Sequence, residues 1–184
     1  VIHAPDDGAP KDRAGKSILK PLKRTETDVT RKGLLITLGA VLAAVGVAIG
    51  FRVTGGAPIW AAVVGAILLG PPLVWAGYTF VRDSELEPYM GWDLRYRVMI
   101  LSGLLAALWL VYAFVPSYIN ELEFPHELSF MLFGIIFCVM MGLGSVASVA
   151  CFELEFGSGL AHAGLYFVVT MALALLSGIA LATG

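Results

Sequence analysis

Charge is what this sequence has least of. Only 14% of its 184 residues are Asp, Glu, Lys or Arg, against about a quarter in an ordinary soluble domain. No lysine or arginine follows Arg97, and eight of the twelve fall within residues 11–32. Cysteine is nearly as scarce. Cys138 and Cys151 lie thirteen positions apart in one apolar segment, roughly 20 Å along a helix, too far to pair. They read as small buried hydrophobes and give no sign of an oxidising compartment.

Several functions are short of residues. Four of the five long apolar runs described below contain no Asp, Glu, Lys, Arg or His. A proton relay, a voltage sensor or an acidic ion site within the membrane therefore has no candidates in them. Paired-histidine haem ligation is poorly supplied: His3 is in the leading segment, and His126 and His162 fall on opposite expected faces. P-loop, HExxH, GxSxG, paired CxxC and catalytic aspartate-pair patterns are all missing. No cofactor is indicated, enzymatic activity is not the expectation, and nucleic acid is not among the expected partners.

What remains is oil. The chain is 58% hydrophobic with a mean hydropathy of +0.83. Five runs, 33–51, 57–81, 98–115, 128–152 and 160–183, are each near or above the length that crosses a bilayer as a helix. The expected fold is all-α: a polytopic integral membrane protein with a five-helix bundle over 33–184, preceded by a mobile basic tail over 1–32. The charged part of that tail runs about thirty residues ahead of any apolar run, which is not the order of a secretory signal.

Orientation follows from the basic residues. The leading segment holds Lys11, Arg13, Lys16, Lys20, Lys23, Arg24, Arg31 and Lys32; the next connection has only Arg52; the one after has Arg82, Arg95 and Arg97. This predicts a cytoplasmic N-terminus, a C-terminus outside, and a multi-pass protein of a cell membrane, with a bacterial or archaeal inner membrane as the expected setting. Trp60, Trp75, Tyr78, Trp109, Tyr112 and Tyr118 lie toward the ends of runs, where rings with one polar edge prefer the interface. The stretch 84–97, bent at Pro88 and Gly91, reads as an interfacial segment.

The tail interleaves Lys16, Lys20, Lys23 and Arg24 with Ile18, Leu19 and Leu22, and Pro21 breaks any long helix. That pattern suits anionic headgroups; its plainer role is a solvated segment that fixes topology. Gly46 with Gly50, and Gly144 with Ser148, have the four-residue spacing that lets helices approach closely in lipid. Gly70, Pro71 and Pro72 interrupt the second run and free the carbonyls of Ile67 and Leu68. This predicts either a packed kink or a hinge lining a solute pathway. A V-x-x-x-E-L-E pattern recurs at Val81 and Val149 and suggests two related hairpins.

Two polar clusters are candidates for chemistry. Glu153, Glu155 and His162 flank a turn expected at Gly157 and Gly159. Carboxylate and imidazole together suit a transition metal or a general base, and Glu85 and Glu87 are available as further ligands. The plain alternative is a wet turn. Glu121, Glu123, His126 and Glu127 form an acidic patch on the outer side, attractive to a cation or basic partner or simply solvated.

Three functions remain. The first is an accessory, assembly or anchoring subunit of a larger membrane complex, or a small oligomer, whose partners are lipids and other membrane helices. The second is a transporter or channel for a small neutral solute along the Pro-broken second run. The third is a membrane enzyme built on Glu153, Glu155 and His162.

Overall fold

A computed structural model describes residues 31–82, 89–120 and 128–183. The elements in chain order are α1 (Arg31–Val53), α2 (Ile59–Val81), α3 (Gly91–Asn120), β1 (Leu128–Ser129), α4 (Phe130–Phe152), α5 (Phe156–Leu176) and β2 (Ala182–Thr183). The fold is all-α. Among the described residues, four helices, α2 to α5, are long and apolar enough to cross a membrane.

These helices have large apolar side chains on their outward faces. Leu68 is 69% exposed and Phe80 89%; Ile100, Leu110, Val139 and Val168 are also exposed. A soluble protein does not expose a continuous surface of this kind. It is the pattern of a bundle whose solvent is hydrocarbon.

Helices α2, α3, α4 and α5 form a closed antiparallel ring, each packed on the next and α5 packed back on α2, while α1 lies outside against α5. The core runs through Val74, Tyr78, Leu101, Leu105, Met140, Ala163, Tyr166 and Phe167. Small residues set how closely the helices approach. A Cβ on Gly144 would lie 2.9 Å from Phe167 and 3.1 Å from both Ala163 and Leu105. One on Gly70 would lie 3.0 Å from the Ser102 Cβ. Lipid offers no hydrophobic drive between helices, so this close backbone packing carries the association.

Element boundaries differ from the apolar runs where local chemistry overrides hydropathy. α3 begins seven residues before the run that predicted it and continues through the buried Pro116 to Asn120. Its first turn carries Asp93, four residues before Arg97, and an acid at a helix start followed by a base one turn later is favourable. The expected interfacial stretch is therefore helical from Gly91 onward. α5 stops at Leu176 rather than 183, because Gly178 adopts φ +90° and sends the chain away. The Ser129 hydroxyl accepts from the Leu132 amide at 3.4 Å and caps α4.

The two hairpins match only in part. α2 and α4 each have 23 residues, but α3 has 30 and α5 has 21. The first copy of the E-L-E pattern, 85–87, lies outside the described residues, as do the basic tail with Lys16, Lys20, Lys23 and Arg24, and the acidic patch at 121–127.

Candidate functional site

The connection between α4 and α5 is only three residues long. Glu153 adopts a left-handed conformation at φ 54° and closes α4, its amide donating to the Val149 carbonyl at 2.8 Å. Leu154 turns inward and is buried. Glu155 is extended and precedes α5, with no hydrogen bond from its own side chain to the helix start. Both carboxylates are on the exposed side.

Gly157 and Gly159, expected to make the turn, are instead inside α5. The reason at Gly159 is packing: a Cβ there would lie 2.9 Å from Val149 and 3.0 Å from the Ser145 carbonyl. With α5 helical from Phe156, its second turn carries His162 into the bundle, where it is 1% exposed. The structure thus separates the expected trio, with two glutamates at the surface and one histidine in the interior. Among the described residues, no three His, Cys, Asp or Glu side chains gather where they could hold a metal. Glu85 and Glu87 lie outside those residues.

His162 points across to α2. Its Nε2 lies 2.9 Å from the Val74 carbonyl oxygen. A carbonyl can only accept, so Nε2 is the protonated nitrogen. One turn further along α5, the Tyr166 hydroxyl donates to the Ala66 carbonyl at 3.0 Å. The two donors of α5 thus engage α2 on either side of Pro71 and Pro72. α2 remains one helix from Ile59 to Val81 despite both prolines. Gly70 is buried against α3, whereas Pro72 faces outward.

The His162 ring needs room, and α2 supplies it at Gly77, where a Cβ would lie 2.3 Å from Cδ2. On its other flank, the ring centroid is 5.5 Å from that of Phe152. Phe152 in turn stacks on Tyr78 at 4.6 Å. Neither a family model, nor a curated protein, nor a solved structure matches this chain. What the chain can do is therefore a question for its own residues.

The layer beyond Tyr78 is organised by Arg97. Its guanidinium donates to the Cys151 carbonyl in the last turn of α4, where a cation meets the negative end of the helix. Its Cζ also lies 3.9 Å from the centroid of the Tyr89 ring, and its Nε reaches both Asp93 carboxylate oxygens at 3.3 Å. The Tyr89 amide donates to the Tyr78 hydroxyl at 2.9 Å. Burial, reinforced by a hydrogen bond with Glu153, raises the Tyr89 phenol above its ordinary 10.0, against the opposing charge of Arg97.

At the opposite end, Arg52 caps α5 by donating from Nη1 to the Leu175 carbonyl at 3.1 Å. The Ala57 amide donates to the Ser177 carbonyl at 3.0 Å. Gly178 closes on Gly56, where an added Cβ would lie 3.3 Å from the Gly56 Cα.

Gly144 and Ser148 are both buried at the α4 seam. Gly46 and Gly50 are on α1 with nothing within 4 Å of an added Cβ. Sequence reasoning counted Arg97 only among the charges that set orientation, and it missed Gly77 and Tyr166. A signal for Gly77 existed: Gly70, Val74, Gly77 and Tyr78 recur at the spacing of one helix face.

Proposed function

We propose that this chain is a five-span subunit of a larger membrane assembly, with α1 as the helix offered to a partner. The observation that carries the reading is the outward face of α1. Gly39, Ala43, Gly46 and Gly50 recur at spacings of four, three and four, all exposed, and none of the three glycines has an atom within 4 Å of an added Cβ. In the ring, by contrast, Gly70, Gly77, Gly144 and Gly159 each meet a neighbouring helix. A face of this kind permits close approach of a second helix, and among the described residues α1 packs chiefly on α5.

The same reading counts α1 as the fifth crossing and keeps the basic end in the cytosol. Arg97 meets the end of α4 beside the 153–155 turn, whereas Arg52 meets the end of α5 on the far side. Together with the basic residues of the leading segment, this asymmetry favours the Arg97 end inside. The partner is a transmembrane helix of another subunit or of a second copy.

The test is purification in mild detergent with mass spectrometry of the intact particle. Stable co-isolation of a second polypeptide or copy is expected. A lone monomer, obtained reproducibly under conditions that preserve lipid, would overturn the proposal. Cysteine-accessibility labelling of single-cysteine variants in residues 1–30 tests the orientation.

A further inference from the structure

Two buried polar atoms are without partners on the same seam. His162 commits Nε2–H to the Val74 carbonyl, which leaves Nδ1 as a bare acceptor, and among the described residues Nδ1 has no hydrogen-bond partner. The Ser148 hydroxyl on α4 is also fully buried and unpartnered among the described residues.

Their neighbours place them together. One turn before Ser148, Gly144 meets Ala163, the residue next to His162. One turn after Ser148, the Phe152 ring lies 5.5 Å from the His162 ring. Residues 144, 148 and 152 share one face of α4, so Ser148 sits between two contacts that both converge on positions 162 and 163.

We infer that Ser148 and His162 hold a single water-sized hydrogen-bonding molecule between α4 and α5. The two groups are chemically complementary to it. Nδ1 requires a donor, and the serine hydroxyl both donates and accepts. A molecule with a donor and an acceptor on one small atom satisfies both at once, as water does in protein interiors, where it typically makes two to four such bonds. α4 and α5 approach closely on either side of this pair: a Cβ on Gly144 would lie 3.1 Å from Ala163, and one on Gly159 2.9 Å from Val149, so the molecule they hold is small.

His162 lies about 9 Å along the helix from Phe156, the first residue of α5. The bound molecule completes a polar chain from Ser148 through His162 to the Val74 carbonyl. That chain links α4, α5 and α2, and adds to the Tyr166 bond to the Ala66 carbonyl that already joins α5 to α2.

The test uses the full chain in lipid bilayers, labelled with ¹⁵N-histidine and studied by solid-state NMR, with His162 assigned by loss of its signals in His162→Gln. The expected result is a His162 Nδ1 resonance at the position of a hydrogen-bonded imine nitrogen, with magnetisation transferred to it from water. Ser148→Ala should shift that resonance and weaken the transfer. A free-imine Nδ1 with no transfer from water overturns the inference, and so does a shift on Ser148→Ala without any water transfer, which marks a direct and dry contact. The wild-type water transfer decides the matter if the variant misfolds.

Discussion

His162 occupies the volume that a side chain at position 77 would fill: an added Cβ on Gly77 would lie 2.3 Å from the His162 Cδ2. The histidine and the glycine are therefore one structural unit, although 85 positions separate them. Gly77→Ala should push the ring away and weaken its bond to Val74, costing about 1–3 kcal/mol as an overpacked core substitution. Reversible unfolding in detergent or bicelles measures this. Gly103→Ala is the control, since an added Cβ there has nothing within 4 Å; its stability should be unchanged or slightly raised.

Arg97 is expected to be the most consequential cation among the described residues. Arg97→Met removes the donor to the Cys151 carbonyl and the stack on Tyr89. The expected loss is about 1.5–3 kcal/mol, the range for hydrogen bonds to charged groups. Arg97→Lys should recover only part of it, because an ammonium offers neither the planar fork nor the flat stacking face. Asp93→Asn should cost no more than about 1 kcal/mol, since the Asp93 side chain is 58% exposed and surface ion pairs contribute little. The order Met, then Lys, then the Asp93 variant is the outcome to check. A larger effect at Asp93 than at Arg97 would sink it.

Tyr89 gives the molecule an alkaline limit. Its phenol is held above the ordinary 10.0 in the folded chain, so the folded state keeps the proton more tightly than the unfolded one. This contribution to stability is fully present below pH 10 and declines as pH rises from there through the folded value. Unfolding followed between pH 8 and 11 should show the decline, and Tyr89→Phe should flatten it. Ultraviolet absorption at the tyrosinate band reports the titration independently.

Gly46→Leu and Gly50→Leu test the face of α1. Neither position has a neighbour within 4 Å of an added Cβ, so both variants should fold with unchanged stability. If α1 docks on a partner, both should abolish co-isolation on native gels. Gly144→Leu, by contrast, should disrupt the fold itself, because its surroundings are closed by Phe167, Ala163 and Leu105.

How much of this was legible beforehand depends on the range of the interaction concerned. Hydropathy is local, so it located α2 and α4 to within two residues at either end. It misplaced the start of α3, because Asp93 and Arg97 form a favourable helical pair that an apolar count scores as loop. It ended α5 too late, because one left-handed glycine outweighs a further apolar stretch. At Gly159 the residue type pointed to a turn, but the small side chain serves close packing against Ser145 and Val149. The partner of His162 was beyond reach: any carbonyl accepts a hydrogen bond, and only the pairing of α2 with α5 selects Val74.

Arg52 has a consequence for how the molecule is made. It ties the end of α1 to the Leu175 carbonyl of α5, and α5 is translated more than a hundred residues later. While the ribosome is still working through α2, α3 and α4, the helix on which α1 chiefly packs among the described residues does not yet exist. Any companion polypeptide waiting beside the insertion machinery meets that helix before α5 exists to claim its other side.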